Sequence, residues 1–197
     1  MKKKGMKLSY EWKSYIDDAF NYIGESGKYI YFSIALFILS AGFGFVFSSQ
    51  LGVLDNILKE IIDKTVNLNG IELILFIFSN NVNVSFLVIF LGVILGIFPF
   101  LNAISNGVVL GYVFSKVYQV SGFANFWMIL PHGIFELPAL FISMGLGIKL
   151  GLFIFSKTPI IELKKRFINS LKVFFFVIVP LLIAAAVIEG LLIYFFK

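Results

Sequence analysis

The sequence predicts an all-α membrane protein: a polytopic helix bundle of about five transmembrane helices with peripheral amphipathic helices. Three observations predict it. Of 197 residues, 59% are hydrophobic and only 14% charged, whereas a soluble domain carries about 25% charged residues. Five apolar runs approach the roughly 20 residues that cross a bilayer. Between them lie charged segments whose apolar residues recur at helical spacing. The mean hydropathy of +0.97 leaves no stretch suited to a separate soluble domain. Residues 1–28 form a cytoplasmic amphipathic segment and residues 29–197 a single membrane domain.

The elements follow in chain order. In residues 8–27, Leu8, Trp12, Tyr15, Ile16, Ala19, Phe20 and Ile23 make one helical stripe. Flanking lysines and an interfacial Trp suit a helix on the cytoplasmic membrane face, or one packed under the bundle. Span one covers about residues 29–47. Residues 48–80 form an external segment, in which Leu54, Ile57, Leu58, Ile61 and Ile62 line one face of an amphipathic helix ended by Asn67 to Gly70. That face rests on lipid, on the bundle or on a partner. Residues 71–78 read as a short, partly inserted helix, broken and capped at Asn80-Asn81, with a single bent element continuing into span two as the alternative. Span two follows over about 82–98, and Pro99 marks the turn into span three, about 101–118. Span four runs over about 132–155. Residues 157–172 form an internal basic loop, with a short surface helix over 162–172. Span five covers about 173–196, kinked at Pro180.

Charge sets the expected orientation. Lys2, Lys3, Lys4, Lys7, Lys13 and Lys28 precede span one, and Lys157, Lys164, Lys165, Arg166 and Lys172 precede span five. Basic flanks face the cytoplasm. Both clusters agree with an inner (plasma) membrane protein whose N-terminus is cytoplasmic and C-terminus external. The net charge of +5 is thus a topology signal, and no nucleic-acid partner is expected. The chain has no cysteine, which excludes disulfides, thiolate metal sites and a cysteine nucleophile.

Polar residues inside the apolar runs carry the functional expectation, because each needs a partner or a task there. Span four opens with Pro131-His132-Gly133, containing the one histidine of the sequence, and Glu136 lies one helical turn after it. Pro138 follows and should kink the helix. Glu189 lies roughly 12 Å in from the C-terminal end of span five. His132, Glu136 and Glu189 are therefore expected to form an intramembrane polar cluster near the outer surface. It acts as a hydrogen-bonded lock, as a route for protons or ions, or, least in keeping with the spacing, as a metal site. Asn102 and Asn106 share a face of span three and are expected to hydrogen-bond between helices. Gly92 and Gly96, Gly107 and Gly111, and Gly147 and Gly151 are G-x-x-x-G pairs that bring helices together within one chain or in a homodimer. No H-E-x-x-H, H-x-x-E-H, G-x-S-x-G or Walker pattern occurs. No catalytic residue, metal or cofactor is expected, and the chain is not expected to be an enzyme.

These residues also carry a resemblance. The ordered set Asn80-Asn81, Gly92, Gly96, Asn106-Gly107, Gly111, Pro131-His132-Gly133, Glu136, Gly147, Gly151 and Glu189-Gly190 resembles the stage II sporulation protein M family over about residues 76–192. The resemblance implies a polytopic inner-membrane protein of about five spans. In spore-forming bacteria the family member works with a peptidoglycan hydrolase and an amidase, holding them at the septal membrane during engulfment. Members also occur in bacteria and archaea that form no spores. The expected function is a membrane scaffold or a subunit of an envelope or membrane-remodelling complex, with the lipid bilayer and envelope proteins as partners. A small transporter or permease-like subunit, moving protons, ions or a small solute past the His/Glu cluster, is the alternative.

Overall fold

The computed structural model describes the backbone of residues 2–122 and 130–196 and the side chains of residues 12–122 and 133–188. Its helices are α1 (Lys2–Val46), α2 (Val53–Thr65), α3 (Gly70–Leu91), α4 (Ile97–Ser121), α5 (Leu130–Gly151), α6 (Pro159–Val173) and α7 (Val179–Phe196). No strand occurs among the described residues. Five helical stretches among them are long and apolar enough to cross a bilayer: Trp12–Val46, Gly70–Leu91, Ile97–Ser121, Gly133–Phe155 and Pro159–Ile188. The expected all-α bundle of five spans is the observed one.

Several boundaries differ from the sequence reading, each for a physical reason. The amphipathic stretch 8–27 and span one are one unbroken helix, α1. Gly24 and Gly27 weaken it locally, but no proline interrupts its hydrogen-bond ladder. Its first half packs rather than standing free: Ala19 and Tyr22 are buried in the same core cluster as Val173, against which Leu163 and Phe167 pack. Trp12 and Tyr15 lie on the Phe176 ring at 5.6 and 6.1 Å between centroids.

Asn80-Asn81 breaks nothing, since α3 runs through it. The cap lies eleven residues earlier. Asn69 Oδ1 accepts from the Ile71 and Glu72 N–H groups at 3.1 and 3.0 Å, and Glu72 Oε2 accepts from the Asn69 N–H at 2.9 Å. This capping box satisfies the orphan donors at the true start. Beyond it neither Gly nor Pro interrupts residues 71–91. Span two ends at Leu91 rather than near residue 98. Residues 92–96 make a tight turn in which Leu95 and Gly96 take positive φ, 56° and 70°. Pro99 is then in the first turn of α4, where its missing N–H costs no helical bond.

The short surface helix expected over 162–172 begins three residues earlier and runs on into the last span instead of standing apart from it. Pro159 starts α6. A π-helical segment, Phe174–Ile178, joins α6 to α7. Pro180 is the second residue of α7, so the disturbance expected at the proline is accommodated one turn earlier as a π segment. Pro138 does lie inside α5.

Helix directions follow from contacts. Gly107 meets Phe37 and Ser40, Gly111 meets Ala41, and Ser115 meets Ser48, so α1 and α4 run parallel. Ser26 meets Lys149 and Ile30 meets Gly145, so α5 runs antiparallel to α1. The α5 span is the most buried of the five and touches α1, α3, α4 and α7. It is the post around which the bundle is built.

All three G-x-x-x-G pairs are used inside the chain. A Cβ on Gly107 would meet the Phe37 carbonyl oxygen at 2.5 Å, and one on Gly111 would strike the Ala41 carbonyl. Gly92 and Gly96 close onto Gly147, Ile148 and Gly151, seating the 92–96 turn on α5. These faces are filled, so a second copy of the chain would have to use other surfaces.

Candidate functional site

Glu136 lies in the second turn of α5, roughly 9 Å along the helix from Leu130. One of its carboxylate oxygens is fully buried. A cavity of about 60 Å³ beside it is lined by Asn80, Asn81 and Ser85 of α3, Asn106 of α4 and Leu182 of α7. On the other side of Glu136 a larger apolar cavity of about 390 Å³ is lined by Phe37, Val109, Leu110, Val113 and Leu137 among others. Glu136 and Asn106 line both cavities and stand between them. The structure thus gathers around Glu136 the amides that the sequence reading kept apart as caps and helix glue.

The amide groups are oriented differently from expectation. Among the described residues Asn102 and Asn106 show no hydrogen bond across helices: Asn106 Nδ2 donates to the Asn102 carbonyl, one turn back, at 2.9 Å. Only the amide nitrogen can make that bond, so it fixes the amide and leaves Asn106 Oδ1 for other partners. Asn102 Oδ1 is buried without a hydrogen-bond partner among the described residues. The side chains of His132 and Glu189 lie outside the described residues, and so does their expected meeting with Glu136.

A second polar centre, at the other end of α5, was not singled out from the sequence. Lys149 is 9% exposed. Its Nζ donates to Ser26 Oγ at 3.0 Å, lies 3.6 Å from Glu25 Oε2 and sits 3.7 Å above the centroid of the Tyr22 ring. Ser26 Oγ in turn donates to the Tyr22 carbonyl at 2.6 Å. Arg166 of α6 donates to the Lys149 carbonyl at 2.6 Å and pairs with Glu162 at 3.0 Å. The signal was present: Lys149 is the lone cation of an apolar run, and Tyr22, Glu25 and Ser26 are spaced three and four apart.

The third feature is α2, the amphipathic helix of residues 48–70. None of its residues is buried. It is tied to α4 by Asp55, whose Oδ1 accepts from the Tyr112 hydroxyl at 2.7 Å and whose Oδ2 lies 3.4 Å from Lys116 Nζ. The Tyr112 hydrogen bond first, and Lys116 beside it, hold the Asp55 carboxyl below the usual carboxylate range. Below α2, Ser48 and Ser115 share a hydrogen bond at 2.7 Å.

Comparison with known proteins agrees with the residue pattern. Two uncharacterized proteins of Methanocaldococcus jannaschii are similar to this chain. One is 32% identical over 131 residues, 61% of this chain and 58% of that protein. The other is 34% identical over 123 residues, 59% of this chain and 66% of that protein. The matches therefore span less than two thirds of each relative's length. No solved structure matches the chain. A family model described as Stage II sporulation protein M matches residues 33–192, from within span one to near the end of α7. That match reaches all five spans and includes Glu136 and Lys149, though not the Tyr22, Glu25 and Ser26 partners of Lys149, and the chain belongs to the Stage II sporulation protein M family.

Proposed function

We propose that the chain is a membrane-embedded scaffold subunit of an envelope or membrane-remodelling complex, and that α2 is where it docks an envelope protein. The observation that carries this reading is the presentation of α2. Asp55 ties it to Tyr112 and Lys116, yet Ile57, Ile61 and Ile62 stay 47%, 48% and 57% exposed. A held helix with an uncovered i, i+4 apolar face matches the way amphipathic helices meet partner grooves. With the basic ends inside, as the positive-inside rule favours, α2 lies on the outer side. The reading gives the chain no catalytic step of its own. Its test is capture of the native complex after cross-linking. Ile57→Ser with Ile61→Ser should lose the captured envelope proteins while the purified variant melts like the parent. An unchanged captured set sinks the docking role, and loss of membrane seating instead would assign the face to lipid.

A second reading, a small transporter, is favoured by one observation: the 390 Å³ cavity reaches Glu136. A carboxylate at the floor of an intramembrane cavity is a usual part of an ion or proton route. Flux into proteoliposomes decides it.

A further inference from the structure

The two sides of α3 differ in a way that hydrocarbon alone does not explain. Ser85, Val88 and Ile89 are buried in the bundle. Away from them, Phe76, Asn80, Asn83 and Leu87 are all exposed, the two apolar side chains by 40% and 44%. Ser79 is exposed beside them. The Ser79 hydroxyl and the Asn80 and Asn83 amides make no hydrogen bond among the described residues. Asn80 and Asn83 lie roughly 15 and 20 Å along α3 from Gly70. That is well inside a stretch of bilayer length. Lipid tails offer an amide nothing to bond with, and the one-carbon stem of asparagine cannot carry it to the headgroups. The face therefore calls for a protein cover.

The spacing says what kind of cover fits. Phe76, Asn80, Asn83 and Leu87 follow one another at intervals of four, three and four residues. This is the seam of two helices packed side by side with a left-handed crossing. Apolar residues hold its ends and amides its middle. A polar residue in such a seam fixes register and the number of helices. Glu72, one turn before Phe76, stays at the helix start, where its carboxylate accepts from the Asn69 N–H. The seam begins below it.

We propose that this face of α3 is a homodimer interface, covered by α3 of a second copy of the chain. Both copies insert with the same orientation, since the same basic segments direct them. The two-fold axis then runs along the membrane normal, the two α3 helices lie parallel, and each residue meets its own counterpart at equal depth. An amide is both donor and acceptor, so Asn80 answers Asn80 and Asn83 answers Asn83 of the other copy without any charge. A foreign helix would have to carry polar groups at those same two depths, whereas a second copy brings them by symmetry. The G-x-x-x-G faces are filled within the chain, which leaves this seam free for the purpose. The interface depends neither on α2 docking a partner nor on transport.

The test is cross-linking of the full chain in liposomes at high lipid dilution, where chance encounters are rare. The chain has no cysteine, so Leu87→Cys places a single thiol on the seam. Oxidation by copper phenanthroline should join two copies through it. Leu39→Cys, on a 73% exposed position of α1, should stay monomeric under the same treatment. Single-molecule photobleaching of the fluorophore-tagged parent should count two chains per particle. Asn80→Leu with Asn83→Leu should weaken dimerisation at least about tenfold while helical content stays that of the parent, because leucine suits lipid. Should that variant fail to fold, the subunit count and the Leu87→Cys bridge decide on a seam whose amides are intact. One chain per particle overturns the proposal. Dimers as tight with both leucines as without them overturn it too, since the amides then hold nothing. A Leu87→Cys that in native membranes bridges to another protein and never to its own copy overturns it in favour of a foreign membrane helix.

Discussion

The two polar centres of α5 stand about two-thirds of the helix apart and are built on opposite principles. At Lys149 the charge and the backbone are both answered: the ammonium by Ser26, Glu25 and the Tyr22 ring, and its own backbone carbonyl by Arg166. At Glu136 the carboxylate borders two cavities, beside an Asn106 amide whose nitrogen is already spent on the Asn102 carbonyl. The Lys149 centre fastens α1, α5 and α6 together, while the Glu136 centre has open space beside its polar groups. One helix thus carries a packed joint and a roomy one, and the contrast can be tested by substitution.

The largest effect is expected where the fastening depends on backbone contact. A Cβ on Gly151 would collide with the backbone of Gly92 and Gly96. No side chain there can yield, so the 92–96 turn must leave α5. Gly151→Ala should cost at least about 3 kcal/mol, seen as loss of a cooperative melt in detergent. A melt within a degree of the parent would mean that α5 and the turn are not locked as described.

Next comes the contrast between the centres. Lys149→Met keeps the stem but removes the cation–π contact and the Ser26 hydrogen bond. Glu25 is 65% exposed, so its ion pair adds little. The expected loss is about 2 kcal/mol by thermal or denaturant unfolding. Glu136→Gln, measured the same way, should cost less than half of that, since it keeps the shape of the side chain and the bordering cavities can admit water to it. Equal costs would erase the distinction between the two centres.

The smallest effect concerns α2. Because Asp55 is held below its ordinary pKa, its tie to Tyr112 is fully present above the normal carboxylate range and is lost as pH falls through the lowered value. A spin label on Lys59→Cys, unique because the chain has no cysteine, should be immobile at neutral pH and loosen only as pH falls below the ordinary carboxylate range. In Asp55→Asn it should be looser already at neutral pH. A label indifferent to both changes would show that α2 is held by other contacts.

What the sequence made legible was the part governed by bulk hydrophobicity and by small residues. Five spans, the glycine pairs, and Glu136 as a focus all follow from local pattern. What it obscured was the choice between competing local signals. Asn80-Asn81 looked like a cap because asparagine often caps, yet Asn69 with Glu72 made the better box and the later pair became interior. The short helix of the basic 157–172 segment looked separate from span five because charge marks the membrane edge, but it starts at Pro159 and continues into that span through the π segment. The Lys149 centre needed residues 123 positions apart in the chain to meet, and no local pattern reports such a distance. The amides around Glu136 were noticed, but as separate features. Only packing α3 and α4 against α5 made them one site.

The π segment has a consequence for how the last helix keeps its face. Ser170, Phe174, Ile178, Leu182 and Ala186 are all buried, and each is four residues after the last. In an uninterrupted α-helix a four-residue repeat drifts by about 40° per step. Over four steps that would carry the stripe to nearly the opposite side. The one extra residue in Phe174–Ile178 takes back about 100° of this drift, so a charged helix and an apolar span can present one continuous inner edge. The segment works as a phase corrector. Its length in residues, more than their identity, is what the rest of the helix depends on.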